Sequence, residues 1–312
     1  MGQGRARPVA VVGSFAVGLS LRVERWPSSG ETVLAGDFDR GPGGKGSNQA
    51  VQIARLRHPV ELVGAIGDDD FGRIALDLYE TEGVGTSCLR RTDRRNTGVG
   101  FIVIEPSGDN RIVLDPGANA LLGEEDVRRA APVIEAAAVV LTQLEIPAEA
   151  AAAALRAGRA AGATTILNPA PARTVPGEIL ADVDLLTPNQ TEARVLLGLA
   201  ADDPRPDAEV CEELRAGGAG TVVMTRGERG ALVAAGDGSM TEVPSRAVEV
   251  VDSTGAGDAF NGTLAAALAA GEALEAAVAR AVVAGALACR RLGVIPSLPR
   301  ADELEEALGA RP

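Results

Sequence analysis

The sequence predicts an α/β protein built around a mostly parallel sheet. Short apolar runs such as VVL (139–141) and TVVM (221–224) lack polar alternation, which is typical of strands buried on both faces. Helical patterns follow most of these runs, so strand and helix alternate along the chain. Two regions, Arg22–Arg40 and Thr97–Asp115, have strand-like patterns without an intervening helix, which indicates a second, small β-sheet.

Each predicted strand is a short apolar run that ends at a glycine or a polar residue. In chain order these strands are Val9–Val12, Val60–Ala65, Ala138–Thr142, Thr164–Leu167, Asp184–Thr187, Thr221–Met224 and Ala231–Ala235. Each predicted helix is a longer segment with apolar residues at helical spacing. These helices are Asn48–Arg57, Gly72–Glu82, Glu124–Glu135, Glu149–Ala161, Gln190–Leu197, Asp207–Ala216, Ala256–Ala270, Leu274–Leu292 and Ala301–Leu308.

The chain is long enough for one large domain or two. We predict a single domain over residues 8–312, preceded by a disordered tail over residues 1–7. The small sheet is predicted to be inserted at about 19–41 and 97–116, with a hairpin turn at 106–110. We interpret this sheet as a lid, a dimerisation surface, or both. An ordinary extension of the main sheet is the alternative.

Composition excludes several classes of protein. The net charge of -13 argues against a general binder of nucleic acids or anionic membranes, because such a protein needs a basic surface. The single histidine, His58, excludes multi-histidine metal sites and disfavours a histidine-based triad. Three widely separated cysteines, Cys88, Cys211 and Cys289, indicate free thiols in a reducing compartment.

The N-terminus is loosely similar to a signal peptide, because a short basic segment precedes an apolar one. No small-x-small cleavage site follows, and Val9–Val12 is better interpreted as a buried strand. No uninterrupted apolar stretch reaches the ~18–20 residues that a membrane span requires. The expected location is therefore the cytoplasm.

A glycine-rich segment, Gly41–Asn48, carries the only lysine of the chain, Lys45, beside 29 arginines. A helix that starts here would present free N–H groups to an oxygen-rich ligand. The P-loop pattern fails because Gly46 follows the lysine. Gly41, Gly43 and Gly46 do match G-x-G-x-x-G, with Glu61 about twenty residues beyond, so an NAD-dependent oxidoreductase is one alternative. A structural turn with a surface lysine is the other.

The segment Asp252–Gly262, DSTGAGDAFNG, combines glycines with two aspartates at the start of a long helix. The N–H groups around Gly255 and Gly257 would form an anion hole for a phosphoryl group in transfer. Asp258, in the first helical turn, can accept the proton of an attacking hydroxyl. The alternative is a simple helix start with a favourable acidic residue.

Two further segments follow predicted strands. Asn189 and Glu192, three residues apart, would share a helix face and can organise Mg²⁺ with its water shell. Helix capping is the structural alternative. The segment Thr225–Gly230, TRGERG, is a glycine-punctuated turn between two strands.

Five motifs occur in one order: GGKGSNQA (43–50), NPAPAR (168–173), TPNQTEA (187–193), TRGERG (225–230) and DSTGAGDAFNG (252–262). Together they resemble the ribokinase-like carbohydrate kinases, the PfkB family, and TQLEIP (142–147) points to the ribokinase branch. The resemblance implies a three-layer α/β/α sandwich with a small β-sheet lid that closes over a sugar. It also implies a homodimer formed through that lid, a small-molecule sugar and ATP as substrates, and no nucleic-acid or membrane partner.

The resemblance assigns a role to each matching position. Asp258 would be the general base, and Gly255, Ala256 and Gly257 would form the anion hole. The sugar hydroxyls would be held by Gly44, Lys45, Gly46, Ser47, Asn48, Glu145 and Asp258. The ATP site would include Asn189, Thr225, Arg226, Gly227, Glu228, Arg229, Gly230 and Gly257. Mg²⁺ would be organised through water by Asn189 and Glu192, and K⁺ would be held at Asp252, Thr254, Ala288, Arg291, Gly293 and Ser297, several through carbonyls.

The chain departs from the family pattern at the end of its first strand. Where ribokinases usually have an asparagine and an aspartate that grip ribose, this chain has Ala16 and Gly18. A carboxylate that holds a sugar diol makes charge-assisted hydrogen bonds that neither residue can supply. The family resemblance as a whole still implies a sugar kinase that acts on a ribose-like pentose. Because of Ala16 and Gly18, another sugar, a deoxysugar or a nucleoside is an alternative. A sugar sensor without turnover is a remote alternative.

Overall fold

The computed structural model of the protein describes residues 6–107 and 110–309. Its strands are β1 (Val9–Val12), β2 (Ala16–Val23), β3 (Ala35–Gly43), β4 (Val60–Gly67), β5 (Gly85–Thr92), β6 (Gly98–Ile104), β7 (Asn110–Asp115), β8 (Val139–Gln143), β9 (Thr164–Asn168), β10 (Leu185–Leu186), β11 (Thr221–Thr225), β12 (Ala231–Ala234) and β13 (Met240–Val243). Its helices are α1 (Lys45–Arg55), α2 (Asp70–Glu82), α3 (Glu124–Arg129), α4 (Ala131–Ala136), α5 (Ala148–Ala160), α6 (Gly177–Leu180), α7 (Gln190–Leu196), α8 (Asp207–Ala216), α9 (Ala256–Ala269), α10 (Leu274–Ala288), α11 (Val294–Ser297) and α12 (Ala301–Gly309).

The central sheet has the strand order β13-β12-β11-β10-β9-β8-β1-β4-β5. All its pairings are parallel except those that β12 makes with β11 and β13. The predicted mostly parallel sheet is therefore confirmed. Because parallel strands bring their carboxyl ends to one edge, the loops that follow β1, β8, β9, β10 and β11 converge there.

The two faces of this sheet pack into two separate cores, which confirms the three-layer arrangement. Strand β1 shows the division: Val9 and Val11 belong to one core, and Ala10 and Val12 belong to the other. Helices α1, α2, α9 and α10 supply the first core, and α5, α7 and α8 supply the second. A strand buried on both faces needs apolar residues at successive positions, as the sequence of β1 provides.

The second sheet has the order β3-β2-β6-β7, with antiparallel pairs at its edges and a parallel β2–β6 pair at its centre. It grows directly from the central sheet, because β2 begins four residues after β1 ends. Strand β3 then leads into α1 through Gly44, which has φ 90° and caps that helix. We call this sheet the lid. Gly108 and Asp109 of its predicted hairpin turn lie outside the described residues.

The structure differs from the sequence prediction in several elements. Helix α1 begins at Lys45, so the lysine lies in the first helical turn and not in the preceding loop. The predicted helix Glu124–Glu135 is two short helices that meet at Ala130, with a proline at the start of the second. Strands β5 and β13 were missed because their sequences, GTSCLRRT and MTEV, carry polar residues that are typical of exposed sheet edges.

Of the predicted N-terminal tail, residues 1–5 lie outside the described residues. Arg7 is described, and its Nη2 donates a hydrogen bond of 2.6 Å to the carbonyl of Ala137. Among the residues with described positions, no helix is long and apolar enough to cross a lipid bilayer.

A buried ion pair fixes the far end of α1. Arg55 pairs with Glu82 at the end of α2, and the two side chains are only 8% and 7% exposed. The Arg55 guanidinium also donates to the carbonyls of Ile295 and Leu298 at 2.6 and 2.8 Å. The hydrogen bonds from Arg55 lower the pKa of Glu82. One side chain thus joins α1, α2 and α11.

We expect Arg55→Ala to lower the free energy of unfolding by about 3 kcal/mol, because it removes the hydrogen-bonded partner of the buried Glu82 and leaves only Arg300, at 3.7 Å. The loss should be full above the ordinary pKa of Glu82 and shrink as pH falls below it, because a protonated Glu82 needs no cation. Urea unfolding at neutral and acidic pH measures both effects. Arg128→Ala is the control, since its partner Glu125 is exposed, and it should cost less than about 1 kcal/mol. Equal losses in the two variants would contradict the role given to the buried pair.

Candidate active site

The polar side chains of the candidate site lie at the carboxyl edge of the central sheet. Ser14 follows β1, Gln143 and Asn168 end β8 and β9, and Thr187 follows β10. Gln143 and Asn168 are neighbours in the β8–β9 register. The first turns of α1 and α9 approach the same edge, so six segments that are distant in sequence converge there.

The Asp258 carboxylate joins the two helices. Its Oδ2 accepts a hydrogen bond of 2.8 Å from the Asn48 side chain, and its Oδ1 accepts one of 2.9 Å from the Gln49 side chain. Asp258 is 7% exposed, and Asn48 and Gln49 are 4% and 0% exposed. The carboxylate is therefore held in one orientation at the N-terminus of α9. This is the geometry that a general base requires.

A chain of buried amides continues from Gln49 into the sheet. The Gln49 Nε2 also donates to Asn168 at 3.1 Å, and Gln143 donates to the Gln49 oxygen at 2.6 Å. Asn168 then donates to the carbonyl of Thr187 at 3.1 Å. The orientation of Asp258 is thus tied to the ends of β8, β9 and β10.

The same chain returns to α9. The Thr187 hydroxyl donates to Asn261 at 2.6 Å, and Asn261 donates to the carbonyl of Gly257 at 2.8 Å. The sequence analysis missed these supporting residues. A signal was present for all of them, because Gln49, Gln143, Asn168, Thr187 and Asn261 lie inside the quoted motifs GGKGSNQA, TQLEIP, NPAPAR, TPNQTEA and DSTGAGDAFNG.

Glu145 marks the start of α1. Its Oε2 accepts hydrogen bonds from the Ser14 hydroxyl at 2.6 Å and from the backbone N–H of Lys45 at 2.9 Å. The second bond satisfies one of the free N–H groups at the helix N-terminus, where a carboxylate is stabilised by the helix dipole. Glu145 therefore lies beside the start of α1, the helix that carries Lys45 and Asn48.

The charges of this cleft are coupled. Burial raises the pKa of Asp258, while the nearby Lys45 ammonium and the hydrogen bonds from Asn48 and Gln49 oppose that rise. Burial opposes the charge of Lys45, but the carboxylates of Asp258, Glu145 and Glu192 outweigh it and raise the pKa of Lys45. Burial also raises the pKa of Glu192. The Lys45 ammonium therefore interacts electrostatically with all three of these carboxylates.

The start of α9 has the open backbone of an anion site. Gly255 adopts φ 86°, and a Cβ there would lie 2.7 Å from the Val294 side chain, so only glycine fits. No described atom lies within 4 Å of a Cβ placed on Gly257, so the space in front of it is free. The N–H of Ala256 donates to the carbonyl of Ser253 at 3.2 Å within the turn.

Asn189 and Glu192 form a reciprocal cap at the start of α7. The Asn189 oxygen accepts the N–H of Glu192, and Glu192 accepts the N–H of Asn189, both at 2.8 Å. The two residues therefore do form the helix cap that was the structural alternative. Glu192 also interacts electrostatically with Lys45 and Asp258. A β-bridge joins Asn189 to Thr225, so the predicted ATP segment lies beside it.

Within that ATP segment, residues 227–229 form one turn of 3₁₀ helix after β11. The Arg226 side chain is 7% exposed and pairs with Glu242 at 3.0 Å. Arg229 pairs with Asp207 at 3.3 Å. Gly230 has φ 79°, and a Cβ there would lie 2.0 Å from the carbonyl of Val243. The turn is therefore fixed by its own contacts, with Glu228 exposed.

The segments predicted to surround a monovalent cation meet at Asp252. Its Oδ1 accepts from the N–H and hydroxyl of Thr254 at 2.9 and 2.7 Å, and its Oδ2 accepts from the N–H of Gly293 at 3.1 Å. The N–H of Asp252 donates to the carbonyl of Cys289, the residue after Ala288. The Ser297 hydroxyl donates to the carbonyl of Val294 at 2.8 Å.

The side chains of two predicted site residues, Ser47 and Arg291, point away from the cleft. The Ser47 side chain is fully buried beside the Tyr79 phenol, because it lies on the core side of α1. The Arg291 guanidinium pairs with Glu303 on α12, so only its backbone faces the cation segment. In the described part of the chain, no three His, Cys, Asp or Glu side chains form a metal-binding cluster.

A cavity of about 620 Å³ lies elsewhere, between residues 246–251, the end of α10 and α12. Three arginines and three glutamates line it: Arg246, Arg290, Arg291, Glu249, Glu303 and Glu306. It contains neither Asp258 nor the residues around it. The candidate active site is therefore the cleft between α1, α9 and the lid, and not this cavity.

Comparison with known proteins agrees with this geometry. The family described as pfkB family carbohydrate kinase matches residues 6–301. The chain is 37% identical to a ribokinase of Bacillus subtilis (97% of this chain, 99% of the relative) and 33% identical to a deoxyribokinase of Salmonella typhi (96% and 98%). The structure of Arabidopsis thaliana ribokinase complexed with ribose and ATP superposes with a TM-score of 0.90 at 29% identity, covering 98% of this chain and 100% of that one. The order of the five motifs, the buried aspartate at the start of α9 and these matches lead to one conclusion: the chain belongs to the pfkB family of carbohydrate kinases.

Proposed function

We propose that this protein is an ATP-dependent sugar kinase that transfers the γ-phosphoryl group to a primary hydroxyl of a ribose-like pentose. The observation that carries the proposal is the buried Asp258 carboxylate, which Asn48 and Gln49 orient at the N-terminus of α9. Three free cysteines are consistent with a cytoplasmic location.

Asp258 accepts the proton of the acceptor hydroxyl as the oxygen attacks the γ-phosphorus. A raised pKa suits this role, because a stronger base takes the proton more readily. The N–H groups of Gly255, Ala256 and Gly257 stabilise the charge on the phosphoryl group during transfer. The turn Thr225–Gly230 holds the nucleotide.

The sugar lies against the start of α1. Lys45 and Glu145 bind hydroxyl groups of the sugar. Gly44 and Gly46 let the start of α1 pack directly against the backbone of residues 13–16. The Asn48 oxygen is buried and has no partner among the described residues. A sugar hydroxyl can donate to that oxygen, which removes the cost of leaving it unpaired.

Mg²⁺ and K⁺ fit the residues that the family resemblance assigns to them. Mg²⁺ favours a few oxygen ligands and its own waters. Burial raises the pKa of Glu192, so a cation beside it would stabilise the charged form of its carboxylate. Mg²⁺ would neutralise phosphate charge. K⁺ would lie where the predicted cation-binding segments meet at Asp252, whose carboxylate carries the negative charge there.

A second acceptor class is favoured by Ala16 and Gly18, which supply no polar side chain to a diol. A deoxysugar, another sugar or a nucleoside remains a candidate on that observation. The deoxyribokinase among the relatives shows that the same family includes an enzyme named for a deoxysugar.

The central experiment is an ADP-release assay over pentoses, hexoses, deoxysugars and nucleosides with MgATP, with and without K⁺. We expect Asp258→Asn to lower turnover of the best acceptor by about 10²–10⁴-fold, because the base is lost. ATP binding and the melting temperature should stay close to those of the wild type. Asp202→Asn, at an exposed position, is the control and should not affect turnover. A wild-type rate in Asp258→Asn would refute the mechanism.

Lys45 provides a test through pH. Since Lys45 lowers the pKa of Asp258, Lys45→Met should raise that pKa further and move the acidic limb of the pH–kcat profile to higher pH. Lys45→Arg keeps the charge and should leave the limb in place. It should raise the KM for the sugar more than that for ATP, because a planar guanidinium does not fit the same turn. An unchanged limb in Lys45→Met, or a selective loss of ATP affinity in Lys45→Arg, would contradict this placement.

We also propose that residues 8–312 act as one domain, with a lid at about 19–41 and 97–116 that closes over the sugar and forms a homodimer. The support is the apolar surface of the lid, where the cross-strand partners Phe101 and Val113 are exposed. Phe101 and Val113 are 49% and 70% exposed, and nearby Phe38 is 67% exposed. Such an apolar face favours association.

We expect Phe101→Asp to convert the dimer to a monomer, because a charge would be buried at the lid contact. Light scattering over a concentration series measures the mass. Leu308→Asp on α12 places the same charge at another exposed apolar position and should leave the dimer intact. A wild-type protein that is monomeric at all concentrations would overturn the proposal.

A further inference from the structure

The amide of Gln49 lies where its orientation decides what the Asp258 carboxylate meets. Its Nε2 donates to the Asp258 Oδ1 at 2.9 Å and to the Asn168 Oδ1 at 3.1 Å. Its oxygen accepts a hydrogen bond of 2.6 Å from Gln143. The residue is 0% exposed. An amide nitrogen carries two N–H donors, so both donors and the oxygen of Gln49 have partners inside the protein.

The hydrogen-bond chain behind Gln49 favours one orientation of this amide. The chain ends at the backbone carbonyl of Thr187, which can accept a hydrogen bond but cannot donate one. The Asn168 nitrogen faces that carbonyl at 3.1 Å, so the Asn168 oxygen is turned towards Gln49. A rotated Gln49 amide would place its oxygen against the oxygens of both Asn168 and Asp258. A fixed backbone acceptor therefore determines that Asp258 meets an N–H group.

The identity of the group that meets Asp258 affects its protonation. An N–H donor stabilises the charged carboxylate, whereas an amide oxygen in the same place would accept a hydrogen bond from the neutral acid and stabilise that form. Burial raises the pKa of Asp258, and the hydrogen bonds from Asn48 and Gln49 are among the interactions that oppose this rise. Only the charged form can take a proton from an attacking hydroxyl.

The charged groups around Asp258 do not act in one direction. Lys45 on α1 favours the charged form of Asp258, and Glu145, which follows β8, disfavours it. Glu192 on α7 is a second carboxylate that interacts electrostatically with Asp258. One cation thus faces two other carboxylates beside the buried base, and neutral hydrogen-bond donors are needed to support its charge.

A second buried glutamine on α1 provides a comparison. Gln52 is also 0% exposed, and its Nε2 donates to the Thr263 hydroxyl on α9 at 3.3 Å and to the carbonyl of Pro299 at 3.2 Å. Its oxygen has no partner among the described residues. Both glutamines therefore join α1 to α9, but of the two only Gln49 donates to Asp258 and has every amide group paired.

We propose that Gln49 is a positioning residue for phosphoryl transfer, because its fixed amide holds Asp258 in the charged form that accepts the proton of the acceptor hydroxyl. This inference rests on the proposed kinase function. The bond from the γ-phosphorus to the bridging oxygen of ATP breaks, a bond to the hydroxyl oxygen forms, ADP leaves and Asp258 takes the proton. Gln49 acts only through Asp258.

The test is the pH–kcat profile of ADP release with the best acceptor. Gln49→Met removes the donor with little change in side-chain length, so the acidic limb should move to higher pH. At a pH on that limb, kcat should fall about tenfold or more and recover as pH rises, while the KM for ATP changes little. Gln49→Glu should move the limb further, since a second carboxylate repels the charge of Asp258. Gln143→Met removes the partner of the Gln49 oxygen and should move the limb in the same direction by less.

Gln52→Met is the matched control, because it makes the same change on the same helix and also removes a buried link to α9. Its melting temperature should fall, as that of Gln49→Met should, but its acidic limb should stay in place. If Gln49→Met does not fold, the profile of Gln143→Met decides in the same way.

An unmoved limb in Gln49→Met or in Gln143→Met, or an equal movement in Gln52→Met, would overturn the inference and leave the kinase function intact. A wild-type protein that releases no ADP with any acceptor would instead refute the proposed kinase function.

Discussion

The cleft depends on one contact, the one between the N-termini of α1 and α9 through the Asp258 carboxylate. Each oxygen of this carboxylate receives an amide from α1, and those amides are buried. The starts of two helices are thereby brought to one edge of the sheet. This contact sets the separation between them. The arrangement also explains why the carboxylate remains buried: Lys45 and two amides offset much of the cost of removing its charge from water.

The amide chain behind Asp258 gives the contact its rigidity. Gln49, Gln143, Asn168 and Asn261 link α1 to three strand ends and back to α9. Networks of this kind restrict side chains to few arrangements, although the Gln143 oxygen has no partner among the described residues. The Asp258 carboxylate is therefore held in its orientation without any ligand.

Much of the fold and of the site could be predicted from sequence for physical reasons. Doubly buried strands such as β1 and β8 need uninterrupted apolar runs, and glycine-rich helix starts leave local signatures. Edge strands carry no such signal, so β5 and β13 were missed. The pairing within the amide chain could not be predicted, because three of its hydrogen bonds join residues 74 to 119 positions apart. The burial of Ser47 follows from the helix beginning at Lys45, a boundary that the glycines obscure.

The close backbone packing where the lid joins the start of α1 limits where the lid can bend. A Cβ on Gly46 would lie 2.5 Å from the backbone of Ser14, and one on Gly44 would lie 2.8 Å from that of Ala16, so strand and helix touch without any side chain between them. A hinge at this point would have to separate two backbones in contact. The register of β2 and β3 shifts between Ser20 and Arg22, further along the arm. The base of the lid is thus stiff, and any bending of the lid is expected beyond the register shift, away from the start of α1.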